Sequence, residues 1–274
     1  MKVIESFIMS KTGVLEQCED KIFISNDFLA VIDGATSKSS FRWNGKTSGA
    51  IAGEIIGDTL KQSECDITLD LLIFRINNAI KDIYEESKGI NYFINNPVDR
   101  ITACMIIYSK FHNQIWIIGD CKCSINSVQY ENVKKVDTIL AEARALFIEL
   151  QLLRGKSIEE LIAEDLGRGF IMNLLKEQYI LQNNSLSQYS YGVIDGFEIN
   201  SESIKIIDGI EKSSMIILAS DGYFSLKEDL FQTEQHLKAV LAEDPLLIGK
   251  YKSTKGLVKG NVSFDDRALI RFIT

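Results

Sequence analysis

The amino-acid sequence predicts an α+β fold, an antiparallel β-sandwich flanked by helices. Three observations predict it. Short apolar segments follow one another across brief polar turns, which implies antiparallel hairpins. Helical patterns come in blocks between blocks of strands, not one helix per strand, so layered packing is favoured over βαβ units. Apolar residues make up 46% of the 274, enough to fill one sizeable core, and with only two prolines no stretch reads as a linker. A single domain over residues 1–274 is expected.

The elements follow in order. Lys21–Ser25 and Phe28–Asp33 read as strands joined by the turn pair Asn26-Asp27. Lys46–Lys61 and Leu69–Glu86 carry apolar residues at helical spacing. A hairpin follows, Thr102–Tyr108 and Gln114–Gly119, across the polar turn Ser109–Asn113. Val136–Ile180 is mostly helical, with breaks expected near Arg154–Ser157 and Gly167–Gly169. Strands resume at Ser203–Ile207 and Ser214–Ala219, a helix covers Glu228–Ala242, and Arg267–Ile273 is a last strand.

Composition excludes several functions. The formal charge of −8 argues against a nucleic-acid surface, which needs clustered Lys and Arg. No apolar run approaches the roughly 20 residues that span a bilayer, and Met1–Ser10 lacks the pattern of a signal peptide. A soluble cytoplasmic protein with no membrane partner is expected. Five cysteines without a CxxC pair read as free thiols of a reducing compartment. Cys121 and Cys123 fit one face of a strand; a metal pair is the other reading. The residues six after the cysteines are Ile24, Leu71, Lys110, Ser127 and Gln129, so no thiolate is followed by the arginine that a cysteine phosphatase uses. His112 and His236 fall in a hairpin turn and on a helix, as ordinary surface residues.

One pattern recurs. An apolar strand runs into an aspartate at Ala30–Asp33, Ile117–Asp120 and Leu218–Asp221, and in reverse at Asp265-Asp266 before the last strand. Gly34 and Gly222 follow two of them, where a glycine permits a tight turn and a close approach of its carbonyl to a ligand. A single Asp-Gly is an ordinary turn, the reading given to Asp195-Gly196 and Asp208-Gly209. The set is different: carboxylates gathered at one rim repel each other unless cations neutralise them, and hard Mg²⁺ or Mn²⁺ ions favour such an all-oxygen shell.

In this order, the segments resemble the metal-dependent protein phosphatases of the 2C family over nearly the whole chain. Glu19-Asp20 looks like the family's Glu-Asp pair, Ala30–Gly34 its Asp-Gly strand, Ile101–Ala103 its Gly-Ser-Thr-Ala segment, Ile117–Cys121 its Gly-Asp-Ser, Leu218–Gly222 its Ser-Asp-Gly, and Asp265-Asp266 its final pair. The resemblance implies a four-layer α-β-β-α sandwich with two central antiparallel sheets. It implies a phosphatase acting on phosphoserine and phosphothreonine in a phosphorylated protein partner, with two or three Mn²⁺ or Mg²⁺ ions. Asp33, with the Gly34 carbonyl, would bridge two ions; Asp221 and Asp265 would hold one, and Glu19 and Asp20 would reach the other. Asp120 with Asp221 would form a third, weaker site. Asp33, Asp221 and Asp265 are the implied catalytic set.

The chain departs from the family where phosphate is recognised. Leu15 stands where many members have an arginine, and Ala35–Lys38 replaces the usual run after Asp-Gly. Lys38 or Arg42 would supply the missing positive charge; both also read as solvated loop residues. Val136–Asn183 lies where members vary, either as a substrate- or partner-selecting insert or as plain flanking helices. Two other readings are a binding module that has lost catalysis, and a P-loop NTPase built on Asn44–Ser48. The latter lacks the glycine its motif needs at position 40, which is Ser40.

Overall fold

The computed structural model describes residues 1–274. Ten strands form two antiparallel five-stranded sheets. The first has the order β2 (Lys21–Ile24), β3 (Phe28–Gly34), β4 (Ala103–Ser109), β5 (Gln114–Ile118), β8 (Ile204–Ile207). The second has the order β1 (Lys2–Met9), β10 (Arg267–Ile273), β9 (Met215–Ala219), β6 (Lys122–Ile125), β7 (Val128–Glu131). Helices α1 (Ser48–Gln62) and α2 (Leu69–Ser87) cover the first sheet, and α7 (Leu230–Glu243) covers the second. The result is the expected α-β-β-α sandwich.

Strand periodicity explains why both faces of each sheet are dry. Leu29, Val31, Ile106 and Ile117 meet Ile216, Leu218, Ile270 and Phe272 between the sheets. Their neighbours Ala30, Ile32, Ile107 and Trp116 face the other way, against Ile56, Leu72 and Ile76 of the helices. Successive side chains alternate across a strand, so a continuous apolar run is what a doubly covered sheet requires. Cys121 and Cys123 both lie in the layer between the sheets, and all five cysteines are free. Thr47 caps α1 and Thr68 caps α2, each accepting a hydrogen bond from the backbone three residues on.

Strands β1 and β7 carried no strong signal in the sequence. They are the two edges of the second sheet, half-exposed, so polar and apolar residues mix along them.

The remaining helices are α3 (Ile90–Asn95), α4 (Lys135–Leu153), α5 (Ile158–Ala163) and α6 (Leu166–Glu177). The break after α4 falls where expected, but the second does not. It lies at Glu164-Asp165, where the Asp165 carboxylate caps α6 by accepting from the Arg168 amide at 2.9 Å. Gly167 is inside α6 because α4 passes close by: a Cβ there would stand 2.7 Å from Ile148 and 2.8 Å from Arg144. That glycine serves helix–helix packing, not chain breaking. Arg144 is itself buried, paired with Asp165 at 2.9 Å.

No helix is long and apolar enough to cross a membrane.

Candidate metal centre

At one end of the sandwich, strands of both sheets finish beside each other. Asp33 closes β3, Asp120 follows β5 by way of Gly119, and Asp221 follows β9. One carboxylate oxygen from each of these three lies within 4.8 Å of the others. The Asp33 Oδ2 also accepts a long hydrogen bond from the Asp221 amide, 3.4 Å. These residues line a cleft of about 90 Å³ together with Asp20, Gly34 and Asp265. Glu19 is buried beside it, since the backbone at Glu19 touches Gly34.

The glycines after the aspartates act differently from the tight turns expected. Neither Gly34 nor Gly222 has a positive φ. Both are required by close backbone approach instead. A Cβ on Gly34 would come 2.5 Å from the Glu19 carbonyl oxygen and 2.7 Å from that of Gly49; one on Gly222 would come 2.0 Å from the Asp266 carbonyl oxygen. Gly34 thus brings the Glu19-Asp20 segment and the start of α1 against the end of β3. Gly222 brings Asp221 against Asp265-Asp266.

The electrostatics divide the cleft in two. Burial, and then Asp20, Asp120 and Asp265, hold Asp33 well above the usual carboxylate range; burial, and then Asp33, Asp265 and Asp120, do the same to Asp221. Asp20 is raised well above it too, by burial first, with the Ser220 hydroxyl opposing. None of Asp20, Asp33, Asp120 and Asp221 has an ion-pair partner. Glu19 Oε1 and Asp20 Oδ2 are buried without any hydrogen-bond donor. Orphaned, mutually repelling oxygens of this kind fit a hard divalent cation. Asp265 behaves oppositely. Burial would raise it, but the ammonium groups of Lys255 and Lys11 outweigh that and hold it low. Lys255 Nζ pairs directly with Asp265 Oδ2, and Lys11 Nζ lies 3.8 Å from Asp265 and 3.5 Å from Asp266.

Asp266 has a structural role: its two oxygens accept from the backbone amides of Lys11 (2.9 Å) and Glu19 (2.8 Å), tying the end of β1 to the Glu19-Asp20 segment.

Of the two candidates for phosphate contact, only Lys38 lines the cleft. Burial, then Lys134, Arg168 and Lys255, push its ammonium down to about 7, and it lies 5.3 Å from the Tyr179 ring centre. Arg42 does not line it. Its guanidinium is exposed and donates to the carbonyls of Ser39 and Phe41 in its own loop, because the chain turns outward there before the Trp43–Lys46 bridge. Lys134, Arg168 and Lys255 also line the cleft and were not singled out by the sequence. They come from α4's leading edge, α6 and a late loop, far from any aspartate motif. The segment around α4 and α6 is therefore a wall of the cleft.

Asn44–Ser48 does not form a phosphate cradle. The segment is a tight turn closed by the Trp43–Lys46 bridge, and Lys46 pairs with Glu54 at 2.7 Å on the solvent side, neither of which favours the NTPase reading. His112 and His236 lie away from the cleft: the former donates to the Ile67 carbonyl (2.9 Å) and the latter packs on Tyr251. Asp195 is fully buried and paired with Arg100 at 2.9 Å, a core ion pair inside what looked like a plain turn.

No protein-family model and no curated protein matches the chain. Among solved structures, the catalytic domain of the serine threonine protein phosphatase PstP in complex with two manganese ions aligns over all of both chains, at 14% identity and a TM-score of 0.50. The chain therefore has the fold of that domain, the protein phosphatase 2C sandwich. Two further structures align with TM-scores of 0.47 and 0.46. The Mycobacterium tuberculosis serine/threonine phosphatase PstP/Ppp is 15% identical, over 98% of this chain and 97% of that one. PppA of Pseudomonas aeruginosa is 12% identical over the whole of both.

Proposed function

We propose that the chain is a metal-dependent phosphatase that hydrolyses phosphoserine and phosphothreonine in proteins, acting as one domain. The observation that carries this reading is the cluster of Asp33, Asp120 and Asp221 within 4.8 Å, half-buried and without a cation partner. These three carboxylates, with the Gly34 carbonyl, would hold Mn²⁺ or Mg²⁺, and Glu19 and Asp20 offer further oxygens behind them. When bound, the ion supplies a water deprotonated near neutral pH and positive charge for the phosphoryl oxygens. The chain contributes the rest. Lys38 and Arg168 attract and orient the phosphate dianion from the wall of the cleft. Rigid strand ends hold the carboxylates in place while the substrate binds. No side-chain nucleophile is required, in keeping with histidines remote from the site and with Cys104, which lines it, raised well above its usual range by burial and by Asp120 and Asp33.

The test is hydrolysis of p-nitrophenyl phosphate and of a phosphothreonine peptide, with and without Mn²⁺. Turnover should require the ion and fall at least ~100-fold in Asp33→Asn and Asp221→Asn, as expected for lost transition-state charge stabilisation. Metal-independent turnover, or full turnover in both variants, would overturn the reading. A binding module without catalysis is favoured only by Leu15 at the arginine position; it predicts metal binding with no turnover of either substrate.

A further inference from the structure

The two ends of the cleft differ in who neutralises their carboxylates. At the Asp33, Asp120 and Asp221 end no ammonium or guanidinium is in contact. At the other end two carboxylates, Asp265 and Asp266, face two lysines, Lys255 and Lys11, so charge is already balanced. Both oxygens of Asp265 are engaged: Oδ2 by Lys255, and Oδ1 by the Asp266 amide at 3.0 Å.

Lys255 does not lie there by chance of a mobile side chain. The residues on either side of it are pinned by the unit built from α4 and α6. Arg168 donates to the Thr254 carbonyl at 3.0 Å, Arg144 donates to the Ser253 carbonyl at 3.3 Å and the Leu246 carbonyl at 2.8 Å, and Asp165 accepts from the Gly256 amide at 2.9 Å. Gly256 is needed there, because a Cβ would stand 2.4 Å from Arg144 Nη2. The buried Arg144–Asp165 pair is thus the anchor of the loop that delivers Lys255 into the cleft.

We propose that Lys255 is a built-in cation that occupies the Asp265 end of the cleft, so that the chain takes one divalent ion, on Asp33, Asp120 and Asp221, and no second ion at Asp265. An ammonium held on a carboxylate both neutralises it and fills the space a second ion needs. The inference rests on the metal-dependent reading for the first ion only.

The experiment counts Mn²⁺ ions on the full chain, by isothermal titration calorimetry and native mass spectrometry. Wild type should bind one ion, Lys255→Met two, and Asp265→Asn one, with its dissociation constant within about threefold of wild type, since a tenfold change marks a lost ligand. Two ions on wild type, a single ion on folded Lys255→Met, or loss of the ion in Asp265→Asn would each overturn the proposal. Lys255→Gln, a shorter polar side chain without charge, replaces Lys255→Met if that variant does not fold, with the same expectation. A wild-type protein that binds no Mn²⁺ overturns the phosphatase reading itself, whereas two ions with metal-dependent turnover overturn only the role of Lys255.

Discussion

Replacing a carboxylate of the proposed metal site should stabilise the metal-free protein. Asp33→Asn keeps the shape of the side chain and its ability to accept from the Asp221 amide, and removes one charge from a cluster whose oxygens lie within 4.8 Å. At that separation and an effective dielectric of about 20, two full charges repel by about 3.5 kcal/mol. Asp33 is raised well above the usual carboxylate range, by burial and then by Asp20 and Asp120, so part of this repulsion is already relieved by protonation. A gain of roughly 1–3 kcal/mol in the ion-free state is left, worth about 2–6 °C in Tm for a chain of this size. Bound ion acts in the opposite sense. At 100 times its Kd it adds about 2.7 kcal/mol to wild type, an increment Asp33→Asn should lose.

The pH dependence gives a second handle. A carboxyl whose pKa is raised on folding binds protons more readily folded than unfolded, so its contribution is fully present below the ordinary carboxylate range. It is lost as pH rises from that range through the raised values of Asp33, Asp20 and Asp221. Ion-free wild type should therefore lose stability as pH rises above about 4, and Asp33→Asn should lose less. The assay is thermal unfolding followed by circular dichroism, with chelator or with saturating Mn²⁺, across pH 5–8. A variant less stable than wild type in chelator, or one with an undiminished Mn²⁺ shift, would refute the reasoning.

Two further substitutions separate the roles of nearby cations. Lys38→Ala should raise KM for p-nitrophenyl phosphate by about 3–30-fold, as expected for one lost phosphate contact. Arg42→Ala should leave both kinetic constants within twofold; a larger effect in Arg42→Ala than in Lys38→Ala reverses the assignment. Arg144→Met removes the buried cation that pairs with Asp165 and should cost about 3–5 kcal/mol, read from the urea midpoint. A change under about 1 kcal/mol would show that Arg144 does not anchor the loop that carries Lys255.

How legible the molecule is varies by element. The core strands Phe28–Gly34, Met215–Ala219 and Arg267–Ile273 announce themselves because a sheet covered on both faces needs uninterrupted apolar runs. Edge strands β1 and β7 do not, since half their surface is wet. Gly167–Gly169 reads as a break yet lies inside α6, because a glycine in sequence cannot show whether it ends a helix or admits a neighbouring one. The aspartates at strand ends are visible in the sequence as a set; Asp33, Asp120 and Asp221 lie within 4.8 Å of one another, whereas Asp265, expected with Asp33 and Asp221, pairs with Lys255.

The sequence by itself determined the layered α+β class, the order of the core strands and the strand-end aspartates, because burial periodicity and strand-end motifs are local properties of the chain. Only the tertiary structure decided which carboxylates stand bare and which are neutralised. Lys255 and Arg168 reach the cleft through contacts between distant segments, held by an Arg144–Asp165 pair that no local pattern marks, and Lys11 meets Asp265 and Asp266 from beyond the end of β1. Charge pairing depends on distance in space, and spacing along the chain carries no record of it.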